Sequence, residues 1–143
     1  MANIPYYQQK DIENIKKLRE MMKELPPFCT EFFRGIEPRT STRTRIAYAY
    51  DLSVFFDFLK KENPVFAKME RMDFKLEQLD QITVTDLEEY MEYLKYRFNE
   101  QNHEIMNQER GIMRKISSLK SFYNYFFRTE KLTTNPAALV RLP

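Results

Sequence analysis

Glycine is nearly missing from this chain of 143 residues, which contains only two. Two-residue β-hairpin turns and phosphate-cradling loops both depend on glycine, because they need backbone conformations or close approaches that a side chain obstructs. The scarcity therefore argues against a fold with many strands and against a P-loop. A hydrophobic share of 43% and a charged share of 31% are ordinary for a globular domain. We predict an all-α domain.

Apolar residues recur at helical spacing in four stretches. Breaks rich in proline or polar residues separate these stretches. The predicted helices span about residues 9–25, residues 42–61, a stretch that starts near residue 83 and carries its apolar stripe to Phe98, and residues 111–129. The fourth has the most regular buried stripe, formed by Ile112, Ile116, Leu119, Tyr123 and Phe126. The pattern predicts a bundle of four main helices plus a short extra helix or turn near Phe66–Met72.

Several local signals refine this prediction. Thr83 followed by Asp86 is typical of a helix N-cap, and Pro26-Pro27 should end the first helix. The lone Cys29 cannot form an internal disulfide, and we expect a small buried hydrophobe rather than a reactive thiol. The sequence has no Cys/His cluster for a metal and no run approaching 18 apolar residues. We therefore expect a cytoplasmic protein with no metal, no cofactor and no membrane segment.

The net charge of +2 averages over a very uneven chain. From Arg110 to the end, seven bases accompany a single acid, Glu130, whereas the residues before Arg110 are acidic on balance. A second basic segment, residues 34–50, holds four arginines and only Glu37 as an acid. If the fold brings the two segments together, they form a positive face suited to nucleic acid.

Small hydroxyl residues lie between the bases on the solvent side of the fourth helix, which carries Arg114, Ser117, Ser121 and Arg128, and at the start of the second. Such residues let a helix approach a phosphate chain while arginines bind phosphates or guanine edges. The predicted DNA-binding residues are Arg39, Thr42, Arg43, Arg45, Arg110, Arg114, Lys115, Ser117, Ser118, Lys120 and Ser121. A merely solvated basic face with capping hydroxyls explains the same pattern, and both interpretations stay open on the residues alone.

A catalytic site is not apparent in the sequence. His103 stands in a polar stretch without a neighbouring nucleophile, and Tyr48 and Tyr123 belong to apolar stripes. The acids of residues 86–92 are ordinary for the start of a helix, where carboxylates complement the helix dipole. We therefore predict a binding domain rather than an enzyme.

Four short motifs follow one another along the chain. They are Thr44-x-x-x-Tyr48-x-x-Asp51-Leu52-x-x-Phe55, Ile82-Thr83-x-x-Asp86-Leu87-x-x-Tyr90-Met91, Arg114-Lys115-Ile116-Ser117-Ser118-Leu119-Lys120-Ser121-Phe122-Tyr123 and Asn135-Pro136. Together they resemble the SAM-like core-binding domain of tyrosine recombinases, the phage-integrase and Xer-type family, over about residues 38–143. The resemblance implies a helical bundle that clamps duplex DNA at a core recombination site through its second and fourth helices. It also implies contacts with neighbouring protomers in a recombination synapse.

The same resemblance implies a division of the chain. Residues 1–37 would be an N-terminal helix and linker packed on the bundle, residues 38–134 the DNA-binding core, and residues 135–143 the start of a linker to an absent C-terminal catalytic domain. We therefore expect a non-catalytic fragment of a bacterial recombinase, associated with the nucleoid when bound to DNA. The connection Asn63–Gln81 is longer than in typical members, and its role is unassigned. The alternative is a helical protein-interaction module whose basic face meets an acidic partner.

Overall fold

The computed structural model describes residues 4–142, whose regular secondary structure is almost all helical. The α-helices are α1 (Tyr6–Met22), α2 (Cys29–Ile36), α3 (Thr42–Glu62), α4 (Pro64–Ala67), α5 (Val84–Lys95) and α6 (Glu109–Arg128). Short 3-10 segments cover Glu37–Arg39, Arg71–Asp73, Leu76–Gln81 and Pro136–Leu139. Two very short strands, β1 (Arg97–Phe98) and β2 (Glu104–Ile105), pair antiparallel between α5 and α6. The predicted all-α fold is confirmed.

The two long helices begin and end within two residues of their predicted limits. The Ser41 hydroxyl caps α3 by accepting a hydrogen bond from the Thr44 N–H at 3.1 Å. At the start of α5, the Thr83 hydroxyl accepts from the Asp86 N–H at 3.1 Å, and the Asp86 carboxylate accepts from the Thr83 N–H at 2.8 Å. This reciprocal capping confirms the helix start predicted at Thr83.

Helix α2 was not predicted, and the first helix lies three residues earlier than expected. Helix α1 ends at Met22, ahead of Pro26-Pro27. The Pro26 carbonyl instead accepts a hydrogen bond from the Cys29 N–H at 3.0 Å and starts the turn that becomes α2. The fixed backbone angle of proline suits a first helical turn. Cys29 itself is buried and unpaired within the described residues, as expected for a small hydrophobe.

The third predicted helix was wrong at its C-terminal end. Helix α5 ends at Lys95, and Phe98, expected on the buried stripe, lies on β1 with 44% of its surface exposed. The chain then reverses through Asn102, whose φ of 62° lies in the left-handed region. Asparagine tolerates that conformation better than most residues, so the turn forms without glycine.

An aromatic cluster between α2, α3 and α6 forms the centre of the core. Phe122 lies in its middle, with ring centroids 5.3 Å from Phe32, 6.1 Å from Phe56 and 5.1 Å from Phe126. Tilted and edge-to-face pairs of this kind add about 0.5–1.5 kcal/mol each beyond their buried area. Because Phe122 belongs to α6, this packing fixes which side of α6 faces solvent. Across residues 4–142, no helix is both long enough and apolar enough to span a bilayer.

Candidate nucleic-acid interface

One side of α6 forms a line of polar residues that we call the basic stripe. Its members repeat at intervals of four and three positions, which keeps them on one face of a helix. They are Arg110, Arg114, Ser117, Ser121, Asn124 and Arg128. Five are exposed, and Ser121 is half-buried. Since the aromatic core occupies the opposite side of α6, the stripe is turned to solvent.

The segment that leads into α3 meets this stripe at a groove of about 310 Å³, which we call the basic groove. Arg39 and Thr40 line one side of it, while Ser121, Asn124 and Arg128 line the other. The guanidinium of Arg128 also lies over the ring of Tyr125, 5.9 Å from its centroid. The fold thus brings residues from both basic segments to one surface.

Four of the predicted DNA-binding residues are buried: Thr42, Arg45, Lys115 and Ser118. The Thr42 hydroxyl donates to the carboxylate of Asp11 on α1. The Arg45 guanidinium donates to the backbone oxygen of Thr40 at 2.6 Å and to that of Glu37 at 3.1 Å. Both side chains therefore fasten the start of α3 to its surroundings.

Asp51 lies buried between α3 and α6 and organises the nearby part of the stripe. Its Oδ2 accepts a hydrogen bond from the Ser118 hydroxyl at 2.6 Å, and its Oδ1 accepts one from Arg114 at 3.1 Å. The Asp51 side chain is 1% exposed, whereas that of Arg114 is 57% exposed. Asp51 therefore holds the inner side of a guanidinium whose outer side faces solvent.

Lys115 differs from its neighbour Arg114 in being only 3% exposed. Its ammonium lies over the ring of Tyr50, 5.4 Å from the centroid. Burial lowers the pKa of Lys115; the negative charge of Asp51 opposes this shift, and the positive charges of Arg114 and Arg97 add to it. Lys115 is thus held in a site that disfavours its charge.

The Lys120 side chain points to the C-terminal segment rather than to solvent. Its ammonium donates to the backbone oxygen of Ala137 at 2.7 Å and to that of Val140 at 3.0 Å. These bonds tie the C-terminal 3-10 segment to α6. The role of Lys120 in the structure is to anchor that segment.

The remaining predicted residues are accessible. Arg39, Arg43, Arg110, Arg114 and Ser117 are exposed, and Ser121 lines the basic groove. Sequence reasoning missed Asn124 and Asp51, and it placed Arg128 on the solvent side of the fourth helix without including it among the DNA-binding residues. The four- and three-residue spacing of the stripe, continued by one position, would have predicted Asn124. Asp51 lies beside Leu52 of an apolar stripe, and an acid that is buried there needs hydrogen-bond or ion-pair partners.

The chain matches the family described as "Phage integrase SAM-like domain" over residues 24–140. It is 35% identical over 125 residues to the tyrosine recombinase XerC of Caldanaerobacter subterraneus subsp. tengcongensis, covering 82% of this chain and 34% of that protein. It is 31% identical over 108 residues to the XerC of Anoxybacillus flavithermus, covering 76% of this chain and 29% of that protein. The XerC of Chlorobaculum tepidum is 30% identical over 137 residues, 96% of this chain and 34% of the relative. This chain thus spans about a third of the length of these curated relatives. No solved structure gives a significant match.

Proposed function

Because this chain belongs to the phage integrase SAM-like domain family, as its sequence motifs indicated, we propose that it is the DNA-binding, non-catalytic part of a bacterial site-specific tyrosine recombinase. It binds duplex DNA at a core recombination site through the exposed bases of α3 and α6. Neighbouring recombinase protomers contact it in the assembled synapse. It acts in the cytoplasm, at the nucleoid when bound to DNA.

The observation that carries this proposal is the basic groove. It combines Arg39 from the approach to α3 with Arg128 from the end of α6, although the two residues are far apart in sequence. Arginine forks bind phosphate oxygens with two donors at once, and the small Ser121 on the groove wall leaves room for a phosphate chain. A solvated face without a ligand does not require two basic segments to share one groove.

The rest of the basic stripe supports a second set of phosphate contacts. Arg110, Arg114 and Ser117 are exposed along α6. The hydrogen bond that Arg114 donates to Asp51 reduces the conformational freedom that this arginine would lose on binding. The buried residues Arg45 and Ser118 contribute to DNA binding by holding α3 and α6 in place.

Fluorescence anisotropy with a labelled duplex tests the assignment. We expect log Kd to change with log salt with a slope of magnitude about 5, since about six phosphates are contacted. Arg39→Ala combined with Arg128→Ala should weaken binding about tenfold or more and reduce the slope by about two. The matched control is Lys16→Ala with Lys17→Ala, which removes two exposed charges from α1. Equal affinities for the groove variant and the control would contradict the role of the groove.

The alternative, a protein-interaction module whose basic face meets an acidic partner, uses the same arginines. A duplex titration at low salt separates the two functions, because phosphate attraction is strongest there. Absence of duplex binding under that condition would favour the acidic partner.

A further inference from the structure

Three cationic side chains are buried within residues 4–142, namely Arg45, Arg97 and Lys115, whereas Asp51 is the one buried carboxylate there. The Nη1 of Arg45 donates hydrogen bonds to backbone and hydroxyl oxygens. Neither Arg97 nor Lys115 takes part in an ion pair in this part of the chain. The Nε of Arg97 is closed to solvent and has no hydrogen-bond partner among the described residues.

Asp51 compensates these charges only in part, because its negative charge raises the pKa of Lys115 but burial lowers that pKa by more. Both of its carboxylate oxygens are already bonded, to Arg114 and to Ser118. The region therefore holds two buried cations, Arg97 and Lys115, and the largely exposed Arg114 around one buried carboxylate. A buried charge without a partner is expensive, so an excess of buried positive charge points to an anion that is bound there.

A pocket of about 200 Å³ adjoins this cluster, between α3 and the strands β1 and β2. Arg97 lines it together with Tyr50 and Ser53 of α3 and Asn99 of the turn. Tyr50 is 46% exposed and also lies beneath the ammonium of Lys115. The Oδ1 of Asn99 accepts from the His103 N–H at 2.9 Å, which leaves the amide nitrogen of Asn99 free to donate.

Two carboxylates also line the pocket, and neither neutralises Arg97. Asp57 is paired with Lys61 at 3.0 Å. Glu100 is exposed on the turn between β1 and β2, where water screens its charge. The guanidinium and the phenol, hydroxyl and amide donors together match the oxygens of a phosphate group.

We propose that Arg97, assisted by Lys115, binds a phosphate of the duplex backbone in this pocket, so that the strands β1 and β2 form a third DNA-contacting element beside α3 and α6. This inference rests on the proposed function and extends it to a segment that carries none of the residues predicted from the sequence. The buried positive charge is retained for the ligand although it destabilises the free protein.

The test compares the full chain with its Arg97→Met variant, which keeps most of the side-chain volume and removes the charge. Duplex affinity should fall about tenfold, and the salt slope should decrease by about one. The Tm of the free variant should equal or exceed that of the original chain, because an unpartnered buried charge has been removed. Lys16→Met, which removes one exposed charge from α1, is the matched control and should change neither quantity.

A structural role for Arg97 gives a different result, namely a lower Tm with unchanged duplex binding, and this overturns the inference. If Arg97→Met does not fold, Arg97→Lys replaces it, since lysine keeps the charge but loses the guanidinium fork. Weaker duplex binding of Arg97→Lys at an unchanged Tm supports the inference. Unchanged duplex binding of this variant overturns the inference. Failure of the original chain to bind any duplex contradicts the proposed function instead. The two failures are therefore distinguishable.

Inorganic phosphate added at constant ionic strength separates the duplex backbone from a free anion. The duplex backbone is supported as the ligand only if Arg97→Met weakens duplex binding. Free phosphate could raise the Tm of the original chain but not that of Arg97→Met, while both proteins bind the duplex equally well. That result would overturn the assignment to DNA. Equal protection of both proteins together with equal duplex binding would show an adventitious ion only and would also overturn it.

Discussion

Cys29, Tyr90 and Tyr123 place three titratable groups inside the core. Burial raises the pKa of the Cys29 thiol above its usual 9.0 and the pKa values of both phenols above their usual 10.0. A group whose pKa is raised on folding holds its proton longer in the folded state than in the unfolded state. Its contribution to stability is complete below the unfolded pKa and is lost as the pH rises above that value.

We therefore expect the free energy of unfolding to fall from about pH 9, by about 1.4 kcal/mol per pH unit for each group that titrates only in the unfolded chain. Lys115, with its lowered pKa, acts in the opposite direction but is one group against three. Urea unfolding between pH 8 and pH 11 measures the effect. In Cys29→Ala the loss should begin nearer pH 10, where the tyrosines of the unfolded chain ionise. An identical pH dependence in that variant would exclude the thiol as a cause.

At the scale of single residues, the sequence predicts where basic and hydroxyl residues cluster. It does not predict what each side chain contacts. Arg43 and Arg45 lie two positions apart and each follows a threonine, yet Arg43 is exposed and Arg45 is bonded to backbone oxygens. The arginine and hydroxyl pattern of a capped helix start is the same whether the bases point to a ligand or to the preceding turn. Only the path of residues 37–40 distinguishes the two arrangements.

Helix α2 shows the same limit at the scale of elements. Eight residues give barely two turns, too few for a periodic pattern to be recognised. Its burial depends on the rings of α6, which are about 90 positions away in the chain. The long helices α3 and α6 could be predicted within two residues because each repeats its apolar spacing over about five turns.

The packing of α2 on α6 depends on Gly35. A Cβ atom at this position would lie 2.3 Å from the Cε2 atom of the Tyr125 ring. Helix propensity alone favours alanine by about 1 kcal/mol, but overpacking against the ring costs about 1–3 kcal/mol. We therefore expect Gly35→Ala to lower the free energy of unfolding, as measured by urea denaturation.

Gly111 of α6 provides the matched control. A Cβ atom there would meet the amide nitrogen of the Asn107 side chain at 2.9 Å, and that side chain can shift. Gly111→Ala should therefore be neutral or stabilising. In a Tyr125→Ala background, Gly35→Ala should also become neutral or stabilising. Destabilisation that persists without the tyrosine ring would place the cause elsewhere.

For the whole molecule, the charge pattern could be predicted and its spatial arrangement could not. The excess of bases after Arg110 and the arginines of residues 34–50 are evident in the sequence. Their meeting at the basic groove depends on the packing of α2 and α3 against α6, and the buried cluster at Arg97 depends on strands that the sequence did not predict. Both arise from tertiary contacts with no local signal.

Helix α1 lies outside the residues that match the family and supports the core from outside. It packs along α3, yet Leu18 is its one buried residue among those described. The aromatic cluster consists of residues between Phe28 and Phe126, all within the matched range. The range from residue 24 onward therefore contains every buried core residue described except Leu18.

Deleting residues 1–23 should accordingly leave a chain that is still helical by circular dichroism and unfolds cooperatively. We expect a loss on the order of 4 kcal/mol, from the exposed partners of Leu18 and of the half-buried Ile15, Met21 and Met22. The Tm should fall by about 10 °C. Leu18→Ala in the full chain should reproduce much of this loss, since truncation of a buried leucine costs about 2–5 kcal/mol. A truncated chain without a cooperative transition would show instead that α1 is required for the core to form.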